Sequence, residues 1–324
     1  STLKSLDLKP GHSKALYLLG RIQMTQGKTE QARKTLLNAI KNNSQEYAAY
    51  YELSTMLETK EQASELVKAI NSARAAEARS LDRSFIEFTI SNCLHKEEKY
   101  SEASKHLQLA NKNKLIVSSS NAESLQQKIK KNLTKFAPPD RTPVNAISGK
   151  GRIFIVGMPR SGSTLLETVL SISPEIKDLG ESRSLAIAIA KLQAQKHNNP
   201  NYQDLNEIYS QIEPINKAKY KYTTDKNLYN FIHVGIIASY MPSAKIIHCR
   251  RNPMDNILSM FRSNLSAGNN YTASLEDSAK VLIAQEQVMQ NHKKRHPEKI
   301  FTFDYDKFVN NPEKILHPLI DWLG

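Results

Sequence analysis

The sequence predicts a chain in two parts: paired helices stacked as repeats at the N-terminus, then an α/β domain built on a parallel sheet. Three observations predict it. Residues 13–115 are almost free of glycine and proline and carry the 3.6-residue spacing of apolar positions that marks helices. Two breaker-rich stretches, Ala137-Pro-Pro-Asp-Arg-Thr-Pro143 and Ser148-Gly-Lys-Gly151, then end all periodicity. Beyond them short apolar runs alternate with helical ones, as in a parallel sheet wound by helices. The expected division is repeats over 1–117, a further helix (Ala122–Lys135) and linker over 118–150, and the α/β domain over 151–324.

The helices of the first part pair off. Leu16, Leu19 and Gly20 are answered by Ala32, Leu36 and Ala39; Tyr50, Leu53 and Leu57 by Ala63, Val67 and Ile70; Phe88, Ile90 and Leu94 by Ala103, Leu107 and Ala110. Small residues facing large ones at a period near 34 are the mark of tetratricopeptide (TPR) repeats, with Gly20 and Ala32 letting two helices approach. The match is imperfect: Gln23 stands at an aromatic position, and the turn at Thr59-Lys60-Glu61 is short. A generic antiparallel helical bundle would share the periodicity. The first pair begins almost at residue 1 with no polar capping helix, and solenoids need capped ends, so further repeats are expected before Ser1.

Composition narrows the function classes. A net charge of +13 suits an anionic partner such as a nucleotide or a phosphorylated or sulfated substrate. The lysines are scattered and not interleaved with aromatics, which argues against nucleic acid. No apolar run approaches the roughly 20 residues of a membrane helix. The two cysteines, Cys93 and Cys249, fall in different parts and supply neither a disulfide framework nor a metal set, so a reducing, cytoplasmic setting and no metal are expected.

In the second part, strands are expected at Ile153–Val156, Tyr220–Thr223, Lys245–His248 and Ile300–Phe303. Helices are expected at Thr164–Ser171, Arg183–Gln195, Phe231–Tyr240, Asp255–Ser263 and Leu275–Lys294. Parallel sheets bind ligands at the carboxyl ends of their strands, and the chemically interesting residues all follow a predicted strand. The first group, Gly157-Met-Pro-Arg-Ser-Gly-Ser-Thr164, joins a strand to a helix with P-loop spacing of its glycines. Such a turn aims backbone N–H groups and a helix N-terminus at an anion. Ser163 stands where a nucleotide P-loop has lysine; Arg160 supplies the charge from inside the loop, and Ser161, Gly162, Ser163 and Thr164 complete the cradle.

The remaining groups are read the same way. Arg251 ends a strand, Asn252 and Pro253 open a helix, and Ser259 lies two turns along it, so Arg251 and Ser259 can meet on one phosphate; alternatively Arg251 pairs with Asp255. Glu181, in Leu179-Gly-Glu-Ser-Arg183, can serve as a base or cap the helix after it, with Arg183 available to orient it. Lys226 follows the strand before Thr224-Asp-Lys226. Tyr305 lies in Phe303-Asp-Tyr-Asp-Lys-Phe308, at the ligand edge or in the core. His292-Lys-Lys-Arg-His296 reads as a solvated basic helix end.

Taken together, Arg160-Ser-Gly-Ser-Thr164 after one strand and Arg251-Asn-Pro-Met-Asp255 with Ser259 after another resemble the sulfotransferases that use 3′-phosphoadenosine 5′-phosphosulfate (PAPS). The chain is most similar to bacterial proteins that join TPR repeats to a domain related to tyrosylprotein sulfotransferases. The likeness covers nearly the whole chain, including Tyr100-Ser-Glu-Ala-Ser-Lys-His-Leu-Gln-Leu-Ala-Asn111 and Thr224-Asp-Lys226; Leu228 replaces a proline usual in the latter motif. The resemblance implies an enzyme in which Arg160–Thr164 hold the 5′-phosphosulfate, Arg251 and Ser259 hold the 3′-phosphate, and Tyr305 lies near the nucleotide. It implies that Glu181 is the catalytic base and that Lys226 and Arg160 meet the charge of the leaving phosphate. It also implies a hydroxyl acceptor and a further segment beyond Gly324 that closes over the site; a peptide tyrosine, a sugar and a small metabolite are all open as acceptors, and the groove of a TPR array, which grips extended peptides, tilts the reading towards a polypeptide. A P-loop kinase or NTPase and a TPR scaffold with an inactive enzyme domain are the competing readings.

Overall fold

The computed structural model describes residues 2–75, 78–135, 145–195, 204–216, 218–266 and 268–324. The breaker stretch Ala137–Pro143 lies outside the described residues. The chain divides into two compact units: one runs to Asn121 and also takes in Phe261–Ser274, and the other holds Ala122–Met260 and Leu275–Gly324. No described helix is long and apolar enough to cross a membrane.

The first unit is a succession of antiparallel helices. After a short α1 (Thr2–Leu8) come three pairs: α2 (Ser13–Thr25) with α3 (Thr29–Asn42), α4 (Tyr47–Ser54) with α5 (Lys60–Ala73), and α6 (Ser80–Lys96) with α7 (Tyr100–Val117). The spacing expected from the sequence is the spacing found. Leu16, Gly20, Ala32, Leu36 and Ala39 are all buried along the first pair, and a Cβ built on Gly20 would lie 2.7 Å from Leu36 Cγ. Glycine is required there because the helices approach too closely for any side chain. Thr59 caps α5 through a capping box with Gln62, so the short turn at Thr59 is a designed helix start.

The helix expected at Asp255–Ser263 ends at Phe261, and Phe261–Ser274 belongs to the first unit. In the structure it is bonded to α7: Asn111 Nδ2 donates to Phe261 O at 2.9 Å and Lys114 Nζ to Leu265 O at 2.7 Å. A polar segment of this kind carries no periodicity, so its docking by side-chain amides and an ammonium leaves no pattern to read.

In the second unit, α8 (Ala122–Lys135) precedes a five-stranded parallel sheet of β1 (Arg152–Gly157), β2 (Ile176–Asp178), β3 (Tyr222–Asp225), β4 (Lys245–Arg250) and β5 (Ile300–Asp304), in the order β2-β3-β1-β4-β5. The central β1 is buried along its whole length, as an apolar strand covered on both faces must be. Between the strands lie α9 (Ser163–Leu170), α10 (Ser184–Gln195), α11 (Leu205–Ile212), α12 (Val234–Tyr240), α13 (Pro253–Phe261) and α14 (Leu275–Arg295). After β5 the chain ends in α15 (Tyr305–Asn310) and α16 (Pro312–Leu323).

Several details differ from expectation. The strand placed at Tyr220–Thr223 runs from Tyr222 to Asp225, because Lys219 and Tyr220 turn back to Asn216 O. Ile176–Asp178, not among the expected strands, forms the edge strand β2. The helix expected at Phe231–Tyr240 starts as a 3-10 turn, Leu228–His233, capped by Asn227. The basic run at 292–296 is not wholly solvated: His292 is buried, and burial lowers its pKa to about 4, so that member is neutral at neutral pH. Cys93 and Cys249 are both free and buried.

Candidate active site

The strand-to-helix turn after β1 is built on left-handed backbone. Arg160 has φ of 68° and Gly162, the N-cap of α9, has φ of 89°. Gly162 is doubly constrained, since a Cβ there would also run into the Tyr305 ring. A non-glycine residue in the left-handed region costs about 1–3 kcal/mol and persists only where the surroundings impose it. The surroundings of Arg160 do so: its carbonyl accepts from Arg251 Nη1 at 3.3 Å and its Nε donates to Ser259 Oγ at 3.2 Å. The Arg251 guanidinium in turn lies 4.9 Å from the centre of the Tyr305 ring. Arg160, Arg251, Ser259 and Tyr305, taken from four different elements, therefore form one cluster. Arg251 stacks on Tyr305 and braces the loop where pairing with Asp255 was the alternative.

Two buried donors in this cluster have no partner among the described residues, Ser161 Oγ and Arg251 Nε. Arg250, the neighbouring cation, is committed elsewhere: its Nε lies 3.0 Å and 3.1 Å from the two carboxylate oxygens of Glu286. Asn252 caps α13 by accepting from Met254 N and Asp255 N.

A second cluster surrounds Lys226, at the carboxyl end of β3. Its Nζ lies 3.5 Å from Thr164 Oγ1, 3.3 Å from Glu181 Oε1 and 3.9 Å from Glu167 Oε2. Lys226 N also donates to Gly180 O at 2.9 Å, and Leu179 N to Thr224 O at 2.9 Å, so the Glu181 loop prolongs the pairing of β2 with β3. Among the described residues the ion-pair partner of Glu181 is Lys226, not the Arg183 expected to orient it. The loop Arg160–Thr164 joins the two clusters, because Arg160 belongs to one and Thr164 to the other.

Three supporting residues escaped the sequence reading. Glu167, on the buried face of α9, accepts from Thr224 Oγ1 at 2.9 Å. Burial raises its pKa, opposed by the Thr224 hydrogen bond and the Lys226 charge. Asn256 on α13 is buried and donates to Pro159 O at 2.8 Å, which ties that helix to the anion loop. Asp225, beside Lys226, accepts from Tyr209 OH at 2.8 Å and from Asn230 Nδ2 at 3.2 Å, and burial raises its pKa to about 6. A polar residue inside an apolar helix face, such as Glu167 within Leu165-Leu-Glu-Thr-Val-Leu170, is the one signal that could have flagged them.

A model of the sulfotransferase family matches residues 152–324, just over half of the chain. The chain belongs to the sulfotransferase family. Residues 2–57 of the chain match a tetratricopeptide repeat model. An uncharacterized protein of Aquifex aeolicus (strain VF5) is 24% identical over 339 aligned residues; the match takes in 97% of this chain but only 44% of that protein. Among solved structures, a sulfotransferase from Alicyclobacillus acidocaldarius is similar at 16% identity and a TM-score of 0.37, covering 53% of this chain and 80% of that one. Sulfotransferase STF9 from Mycobacterium avium is similar at 11% identity and a TM-score of 0.37, covering 82% and 83%.

Proposed function

We propose that this sulfotransferase moves a sulfuryl group from PAPS to an acceptor hydroxyl. The observation that carries the reading is the setting of Lys226. Its ammonium lies between Thr164, on the first turn of the anion-loop helix, and the exposed Glu181 carboxylate. A cation between an anion cradle and a reachable base suits a reaction that removes a hydroxyl proton while charge grows on a leaving phosphate oxygen.

In this reading Arg160, Ser161, Gly162, Ser163 and Thr164 hold the 5′-phosphosulfate against the helix N-terminus. Arg251 and Ser259 take the 3′-phosphate, with Tyr305 backing the Arg251 plane. The unpartnered buried donors Ser161 Oγ and Arg251 Nε support an anion at this place, since buried polar groups are nearly always satisfied. As the acceptor oxygen bonds to sulfur, the bond from sulfur to the phosphate oxygen breaks and the hydroxyl proton passes to Glu181. Lys226, Arg160 and the loop N–H groups then meet the negative charge left on the phosphate.

For the acceptor, a tyrosine hydroxyl in a polypeptide is the first class to test, because stacked tetratricopeptide pairs present extended binding surfaces. The donor is tested by calorimetry with 3′,5′-ADP against ATP with Mg²⁺. Tighter binding of 3′,5′-ADP is expected; tighter binding of ATP would overturn the proposal in favour of a kinase or NTPase.

A further inference from the structure

The Lys226 ammonium faces two carboxylates of opposite character. The Glu181 side chain is 75% exposed, whereas that of Glu167 is 8% exposed. Glu167 lies one turn beyond Ser163 on α9, and its carboxylate touches Lys226, the strand before it and the loop that carries Glu181. Thr224 of β3 donates to Oε1, Lys226 lies at 3.9 Å from Oε2, and the backbone of Gly180, next to Glu181, is a further hydrogen-bond partner. A carboxylate so engaged and so deeply buried is badly placed to accept a proton from an incoming hydroxyl. It is well placed to hold the groups around it.

We propose that Glu167 is a positioning residue for sulfuryl transfer, one that fixes the Lys226 ammonium beside the start of α9 and steadies the loop presenting Glu181. The inference rests on the PAPS reading above. It divides the work between two carboxylates on one cation: the exposed Glu181 takes the proton, and the buried Glu167 supplies a fixed counter-charge that water does not screen. The charged groups that face Glu167 are Lys226 after β3, Asp178 at the end of β2 and Asp225 on β3. Glu181 faces the same ammonium from the far side.

The variant Glu167→Gln tests this, because it keeps the volume and an oxygen for Thr224 while removing the charge. Cleavage of PAPS to 3′,5′-ADP, with a small phenol or water as acceptor, is followed from pH 5 to 8 beside calorimetric binding of 3′,5′-ADP. A loss of roughly 10- to 100-fold in kcat at pH 8, with the affinity for 3′,5′-ADP held within about threefold, is the expected result. Equal kcat, or a loss of 3′,5′-ADP affinity as large as the loss of kcat, would overturn the inference. If Glu167→Gln does not fold, Glu167→Asp keeps the charge on a shorter arm: lowered kcat at retained affinity supports the role, and wild-type kcat overturns it. Wild-type protein that fails to bind 3′,5′-ADP sinks the donor reading itself, before any variant is compared, and this inference with it. Binding without cleavage overturns the catalytic reading of the Lys226 cluster.

Discussion

Lys226 Nζ lies 3.3 Å from Glu181 Oε1, and the two side chains meet across the boundary between interior and solvent: Lys226 is 7% exposed and Glu181 75%. A pair with one partner so exposed contributes little to folding. Its geometry matters for chemistry instead, because it couples the candidate base to the cation proposed to meet the leaving phosphate. Glu181→Ala should leave thermal unfolding unchanged and lower PAPS turnover by about 10²- to 10⁴-fold. Lys226→Ala should lose turnover comparably and also lose about 1–3 kcal/mol of stability, because it leaves the buried Glu167 without its cation. Adding Glu167→Gln to Lys226→Ala should restore stability but not activity. Turnover assays and thermal melts on the variants check both halves.

In the proposed reading Arg251 and Ser259 take the 3′-phosphate, and this can be tested by binding. Charge-assisted hydrogen bonds contribute about 1.5–3 kcal/mol each, so Arg251→Ala should weaken 3′,5′-ADP binding by roughly 10- to 100-fold. Ser259→Ala should weaken it less, because a neutral hydroxyl offers the 3′-phosphate a weaker hydrogen bond than a guanidinium does. Neither change should matter as much for adenosine 5′-monophosphate, which lacks the 3′-phosphate. Titration of the four protein–ligand combinations measures the difference, and equal losses for both nucleotides would remove these residues from the 3′-phosphate site.

Asp225 predicts a pH dependence of stability. Burial raises its pKa from 3.8 to about 6 in the folded protein, so the folded state holds the proton more tightly than the unfolded state. Stability therefore falls as pH rises from about 4 through 6, by on the order of 3 kcal/mol from this group. Asp225→Asn cannot ionise and keeps an acceptor for Tyr209 OH. Its melting temperature relative to wild type should rise between pH 4 and 7, which a series of thermal melts would detect.

Gly20 gives the packing prediction for the repeats. A side chain there meets Leu36, which is fully buried and cannot withdraw. Gly20→Val should cost about 1–3 kcal/mol by overpacking the first helix pair. Denaturant unfolding followed by circular dichroism reads the loss, and it should be absent in a surface control such as Lys34→Ala.

Much of the site was legible because its parts are local. A buried strand, a glycine turn and a helix occupy consecutive residues, so Ile153–Thr164 declares its own structure. Arg251 and Ser259 are likewise set by one strand and one helix. Their partners were not legible: Tyr305 under Arg251, Asn256 against Pro159 and Glu167 beside Lys226 lie 54, 97 and 59 positions apart in the chain. Such distances carry no periodicity, and a buried polar residue in an apolar helix reads as an exception until its partner is seen.

The sequence by itself determined the repeat spacing, the central strands, the anion loop and the family, because these depend on neighbours within a turn or a strand. Tertiary structure decided which of two adjacent arginines faces the loop, which carboxylate of two around Lys226 meets solvent, and that Arg160 adopts a left-handed backbone. Each of those outcomes is set by what the sheet order β2-β3-β1-β4-β5 brings side by side and by what burial does to charge, and neither is written in the order of the residues.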